Sequence, residues 1–221
     1  MLPHARAVTP VRAVRPRAVA RPRAVGRASA LAGALLILGA TAAAAHVGQA
    51  PHVHGFADGF MHPLFGIDHL AAMLAVGLWS ATLGGVALLA VPAAFVALLV
   101  VGAVLGATGV PLPAVEPAIT ASVIVLGLLV ALAVRLPVLP AALLVGAFGL
   151  VHGYAHGAEM PAAASPLAYG LGFVVATALL HAAGIGLGVA LGRIAEVRAG
   201  LGMARLAGAC VAGVGLVLAF A

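Results

Sequence analysis

Six apolar runs of close to twenty residues, separated by short breaks, leave this chain few folds to choose from. They extend from about Gly66 to Leu83, Gly85 to Leu105, Pro117 to Val134, Val138 to His156, Leu167 to Leu191 and Leu201 to Phe220. About 20 apolar residues in a helix cover the hydrocarbon core of a bilayer. Inside that core each backbone N–H and C=O must find its partner within the protein, which selects helices for separate runs of this length. The chain is 64% hydrophobic and 7% charged, whereas soluble domains are roughly half apolar and a quarter charged. The expectation is an all-α, polytopic membrane helix bundle of about six transmembrane helices. Its 29 glycines, with abundant alanine, suit close helix packing where hydrophobicity cannot drive association.

Charge is confined by position. Seven of the 11 basic residues, all arginines, precede residue 30, and the remainder of the chain sets four arginines against five acids. The basic character therefore belongs to a leader. A nucleic-acid surface would need basic residues spread over a folded face. An arginine-rich stretch, an apolar segment from about Ala30 to Ala40 and small residues up to Ala45 read as a secretory signal peptide cut after Ala45. If it is left uncut, the leader adds a seventh helix. The domain reading is then a signal peptide over 1–45, a periplasmic histidine-bearing segment over 46–65 and a six-helix transport domain over 66–221. With His46 outside, Arg135, Arg193, Arg198 and Arg205 all fall on the cytoplasmic side, as the positive-inside rule expects. The lone Cys210 excludes an intramolecular disulfide and reads as a small core residue.

Two polar strings interrupt the apolar runs: His62-Pro-Leu-Phe-Gly-Ile-Asp68-His69 and His152-Gly-Tyr-Ala-His156-Gly-Ala-Glu159. Ionisable groups in or beside lipid are costly and mark ion paths or sites. The span count puts both strings at the same outer membrane face. An inverted copy of the first three spans in the last three would put the second string inside, which argues against a strict repeat.

On a helix, His152, His156 and Glu159 fall within an arc of about 60°. Two imidazoles at this spacing can chelate a divalent ion, and the carboxylate adds charge and an oxygen donor. Either histidine alone reads as a buried imidazole bonded to a carbonyl; the triplet reads as metal handling. In the first string Pro63 suits the first turn of a helix, with His62 at its cap. A continuous helix would align His62, Gly66, His69 and Met73 on one stripe. Asp68 is either a direct ligand or the group that orients a ligating imidazole on a partner helix; as a bland alternative it is a first-turn acid facing the helix dipole. Further candidates on a metal path are His46, whose α-amine would be freed by cleavage, Met73, which also reads as core, and His181, deep in the fifth run. His52 and His54 accompany His46 in the polar stretch, and Glu116 and Glu196 read as loop acids.

The first string, continued by Leu-Ala-Ala-Met73 and Val-Gly-Leu-Trp79, closely resembles the signature of the HupE/UreJ family of nickel transporters. The second string resembles that family's second histidine motif. The resemblance implies a bacterial inner-membrane secondary permease that imports Ni2+, or in some members Co2+, for hydrogenase, urease or cobalamin-related enzymes. Carried over by position, it implies His62, Asp68, His69, His152, His156 and Glu159 as the metal residues. It implies no permanently bound cofactor, the metal ion being the substrate. The chain carries no phosphate-binding loop for ATP. Two other classes remain open. An intramembrane metal-dependent hydrolase would use Glu159 as general base, but the acid follows the histidine pair where H-E-x-x-H would embed it. A haem-binding membrane protein would draw axial histidines from both sides of the membrane, and here both strings lie on one side.

Overall fold

The structure, a computed structural model, describes residues 55–160, 165–194 and 199–221. The leader, its cleavage point at Ala45, and His46, His52, His54, Glu196 and Arg198 lie outside the described residues. Those residues form seven helices and no strand: α1 (Phe56–Phe65), α2 (Ile67–Leu83), α3 (Ala87–Ala107), α4 (Val115–Ala131), α5 (Val138–Ala158), α6 (Pro166–Ile194) and α7 (Ala199–Ala219). The chain is a multi-pass, all-helical membrane protein.

Helices α2 to α7 coincide with the six apolar runs. Four of them, α3, α5, α6 and α7, are long and apolar enough to cross a membrane singly, and α1 with α2 makes a fifth if that bent pair is one span. α4 has 17 residues, about 25 Å of helix, at the short end of what crosses the core. Proline and glycine set the boundaries. Pro166 opens α6, where its missing N–H costs nothing. Gly84 and Gly85, at φ 70° and 54°, turn the chain between α2 and α3 in a region that side-chain-bearing residues rarely adopt.

The first polar string departs from its expected form. Pro63 sits near the end of α1, and the helix breaks at Gly66, whose backbone is extended at φ −79°, ψ 112°. α1 and α2 meet at 83°. The predicted stripe through His62, Gly66, His69 and Met73 is thus interrupted after His62. The break falls at Gly66, a poor helix former, which closes α1 with its N–H on the His62 carbonyl (3.3 Å) and caps the start of α2. Proline cannot donate to the preceding turn, and α1 ends two residues later.

Packing is pairwise and close. α3 lies along α5, α2 along α6, α4 along α7, and α1 across the start of α6. In the first of these seams Gly149, Gly153 and Gly157 recur every four residues against the carbonyls of Phe95, Leu99 and Ala103; a Cβ on any of them would overlap the opposing oxygen. Gly77 and Gly184 make the same kind of contact between α2 and α6. α7 meets α4 through Gly208, Ala212 and Gly215. Cys210 falls off that face and is exposed, which corrects its reading as a core residue.

The bundle has chemically distinct ends. At one, the Trp79 indole N–H donates to the Val134 carbonyl (2.9 Å) and Arg205 Nε donates to the Ala131 carbonyl at the end of α4 (2.9 Å), beside exposed Arg135. At the other, the start of α2, the end of α5 and the start of α6 bring the histidines together.

Candidate metal centre

The two strings, about ninety residues apart in sequence, meet in one cluster. His62 on α1 stacks edge-on against His156 on α5, with ring centroids 4.6 Å apart. His69 on α2 lies 4.2 Å from His156 and 4.9 Å from His152. His62, His156 and Glu159 each offer a donor atom, and these atoms lie within 4.8 Å of one another. Glu159 follows the last residue of α5 and keeps its backbone bond to the Ala155 carbonyl (2.9 Å), so the helical spacing from His156 persists. His62 and Glu159 are exposed, whereas His156 is 3% exposed and His152 is fully buried. The cluster therefore runs from an exposed mouth into the bundle.

Asp68 makes its contact within its own helix. One carboxylate oxygen, Oδ1, accepts the His69 backbone N–H (2.8 Å) and meets the His69 ring at Nδ1 (2.6 Å). A carboxylate can only accept, so Nδ1 carries a proton, and in the neutral ring Nε2 presents a lone pair. This is orientation of an imidazole by a carboxylate, as one sequence alternative held, but the imidazole is its neighbour's and not one on a partner helix. Gly66 leaves room for the pair: a Cβ there would stand 3.0 Å from His69 Nδ1 and 3.1 Å from Asp68 Oδ1.

His152 is fixed by the same logic. Its Nδ1 lies 2.9 Å from the Phe148 carbonyl, one turn back on α5. That carbonyl also only accepts, so His152 Nε2 is the bare nitrogen. Among the described residues, His69 Nε2, His152 Nε2 and both ring nitrogens of His156 are buried and have no hydrogen-bond partner. Buried polar atoms are ordinarily paired. Three adjacent imidazoles with unpaired nitrogens, two of them held as lone-pair acceptors, form an arrangement suited to a cation or a shared proton.

The remaining candidates are placed as follows. Met73, one turn below His69, is fully buried in the apolar core. His181 is 2% exposed on α6, with its ring 5.0 Å from Phe95. His46 falls outside the described residues. Three aromatic neighbours were not singled out from sequence: Tyr169, 6.1 Å from His62; Phe173, 4.1 Å from His156; and Phe95, 5.6 Å from His152. Their only sequence signal is scarcity, since aromatic residues make up 5% of the chain. Tyr154, inside the second string, has a packing role: its hydroxyl accepts the Leu112 N–H (3.2 Å) and ties down the loop after α3.

The family model described as HupE / UreJ protein matches residues 14–218. The chain belongs to the HupE/UreJ family. Within that family it is 46% identical over 176 residues to Protein HupE of Rhizobium leguminosarum bv. viciae, an alignment covering 80% of this chain and 89% of that protein. No solved structure matches it. Both polar strings lie within the matched range, so the cluster belongs to the HupE/UreJ portion of the chain.

Proposed function

We propose that this chain is a secondary permease importing a divalent transition-metal ion, Ni2+ or Co2+, across the bacterial inner membrane. The observation that carries the reading is the convergence of buried, unpartnered imidazole nitrogens, those of His156 among them, behind the exposed donors His62 and Glu159. Imidazole and carboxylate donors suit both metals, and affinity order alone does not select between them. In this reading the ion is first held at the mouth by His62, His156 and Glu159. It then passes to His69 and His152, whose free nitrogens are fixed by Asp68 and the Phe148 carbonyl. The mature N-terminus is periplasmic, the 1–45 leader is a cleaved signal, and the arginine-bearing end faces the cytoplasm. The protein is a transporter and not an enzyme, holds no permanent cofactor, and supplies metal for hydrogenase, urease or cobalamin-related enzymes.

The test is uptake of radiolabelled Ni2+ and Co2+ in cells lacking their own nickel importers. Wild-type protein is expected to raise uptake of at least one metal above empty vector. His62→Ala, Asp68→Asn and His156→Ala are each expected to lower that uptake by about tenfold or more. Wild-type uptake equal to vector for both metals overturns the permease. Uptake that survives all three substitutions overturns the site.

A further inference from the structure

The outer cluster does not end at His152. Its ring lies 5.6 Å from that of Phe95 on α3, and the Phe95 ring in turn lies 5.0 Å from that of His181, nearly perpendicular to it. A continuous file of rings thus runs from His62 through His156, His69 and His152 to Phe95 and His181. α6 supplies a parallel face. Tyr169, Phe173, Thr177 and His181 recur every four residues, and all four are buried. The first touches His62 and the second touches His156. From Phe173 to His181 the helix descends about 12 Å.

Two details mark the lower end of this face as more than packing. Both ring nitrogens of His181 are buried without a partner among the described residues, and so is the hydroxyl of Thr177 one turn above it. Hydroxyls in apolar helices ordinarily bond back to their own helix, and the two other buried ones among the described residues, Ser80 and Ser122, do so. Ser80 bonds to the Val76 carbonyl, Thr82 to Trp79, Thr108 to Val104 and Ser122 to Ile119. Among the described residues Thr177 is the buried hydroxyl without such a bond, and it shares a face with an unpaired imidazole.

We propose that His181 and Thr177 form a second, inner station for the transported cation, and that the Phe95 ring separates it from the outer cluster. This rests on the permease reading above. The outer cluster captures the ion; movement of the Phe95 ring opens the way to a site with fewer donors, from which release is easier. Phe95 is in contact with an imidazole of each station, so a single side chain can keep the two from being open to each other at rest.

The test pairs binding with transport. Purified His181→Gln is expected to bind Co2+, followed by its visible absorption, within about threefold of wild type, while radiolabelled Ni2+ uptake in cells falls about tenfold or more. Uptake at the wild-type rate overturns the inner station. A Co2+ affinity that falls as far as the uptake also overturns it, because His181 would then be supporting the outer cluster. The partition is read in a Cys210→Ala background carrying Thr177→Cys. Adding Phe95→Ala is expected to speed labelling by an impermeant thiol reagent applied outside by about tenfold, and equal rates with and without Phe95 overturn the partition. If wild-type protein neither binds Co2+ nor takes up Ni2+, the permease reading fails and the inner station with it.

Discussion

On the proposed reading, Asp68 is the residue that would tune the site without being touched by the ion. Its Oδ1 holds the His69 ring and backbone together, which fixes the tautomer that leaves Nε2 bare. Asparagine keeps an acceptor oxygen but loses the charge that favours an Nδ1–H donor. Removing such a partner commonly costs about 10- to 100-fold in metal affinity. Asp68→Asn is therefore expected to weaken Co2+ binding by that range in a titration of purified protein, with thermal unfolding unchanged. An affinity equal to wild type would remove Asp68 from the site. Some of this was legible in the sequence: the spacing of His152, His156 and Glu159 on one helix follows from helix geometry alone. The partner of Asp68 was not, because it depends on the helix breaking at Gly66. Nor were the contacts of Phe95 and Phe173, since a phenylalanine in a uniformly apolar run carries no mark of what it faces.

The helices were readable where proline and glycine punctuate them, and their facing surfaces were not. A helix that is apolar all round has no polar face to give away its orientation, so the sequence identifies six runs without saying which packs on which. The seams are instead written in small residues. Gly153 and Gly157 stand inside the second polar string, where they look like part of the chemistry, yet they press α5 against the Leu99 and Ala103 carbonyls of α3. Gly153→Val would force the two backbones apart, at a cost of about 1–3 kcal/mol for overpacking. The expected result is a clearly lowered unfolding temperature in detergent. Gly170→Ala, where a Cβ meets nothing within 4 Å, is the control and is expected to change little. Equal behaviour of the two variants would mean that the α3–α5 seam is looser than described.

The molecule as a whole is polar along its axis in a way the arginine count anticipated. Arg135 and Arg205 gather at the end where Trp79 and the end of α4 are tied together, and the histidines gather at the other. In the proposed orientation the arginine end faces the cytoplasm, as the positive-inside rule expects. In a Cys210→Ala background, Glu159→Cys is expected to react with an impermeant thiol reagent in intact cells, and Arg135→Cys only after the membrane is opened. The reverse pattern would invert the topology. Nothing in the residue pattern indicated that the donors belong to different packing units. His69 rides on the pair α2–α6, with His62 on the α1 arm laid across it, whereas His152, His156 and Glu159 ride on the pair α3–α5. Each pair is zipped internally by glycine, but an ion bound in the cluster would stitch one pair to the other. The cargo would then be part of the scaffold while it is aboard: its arrival locks two bodies together, and its departure unfastens them, so that letting go and changing shape become a single event.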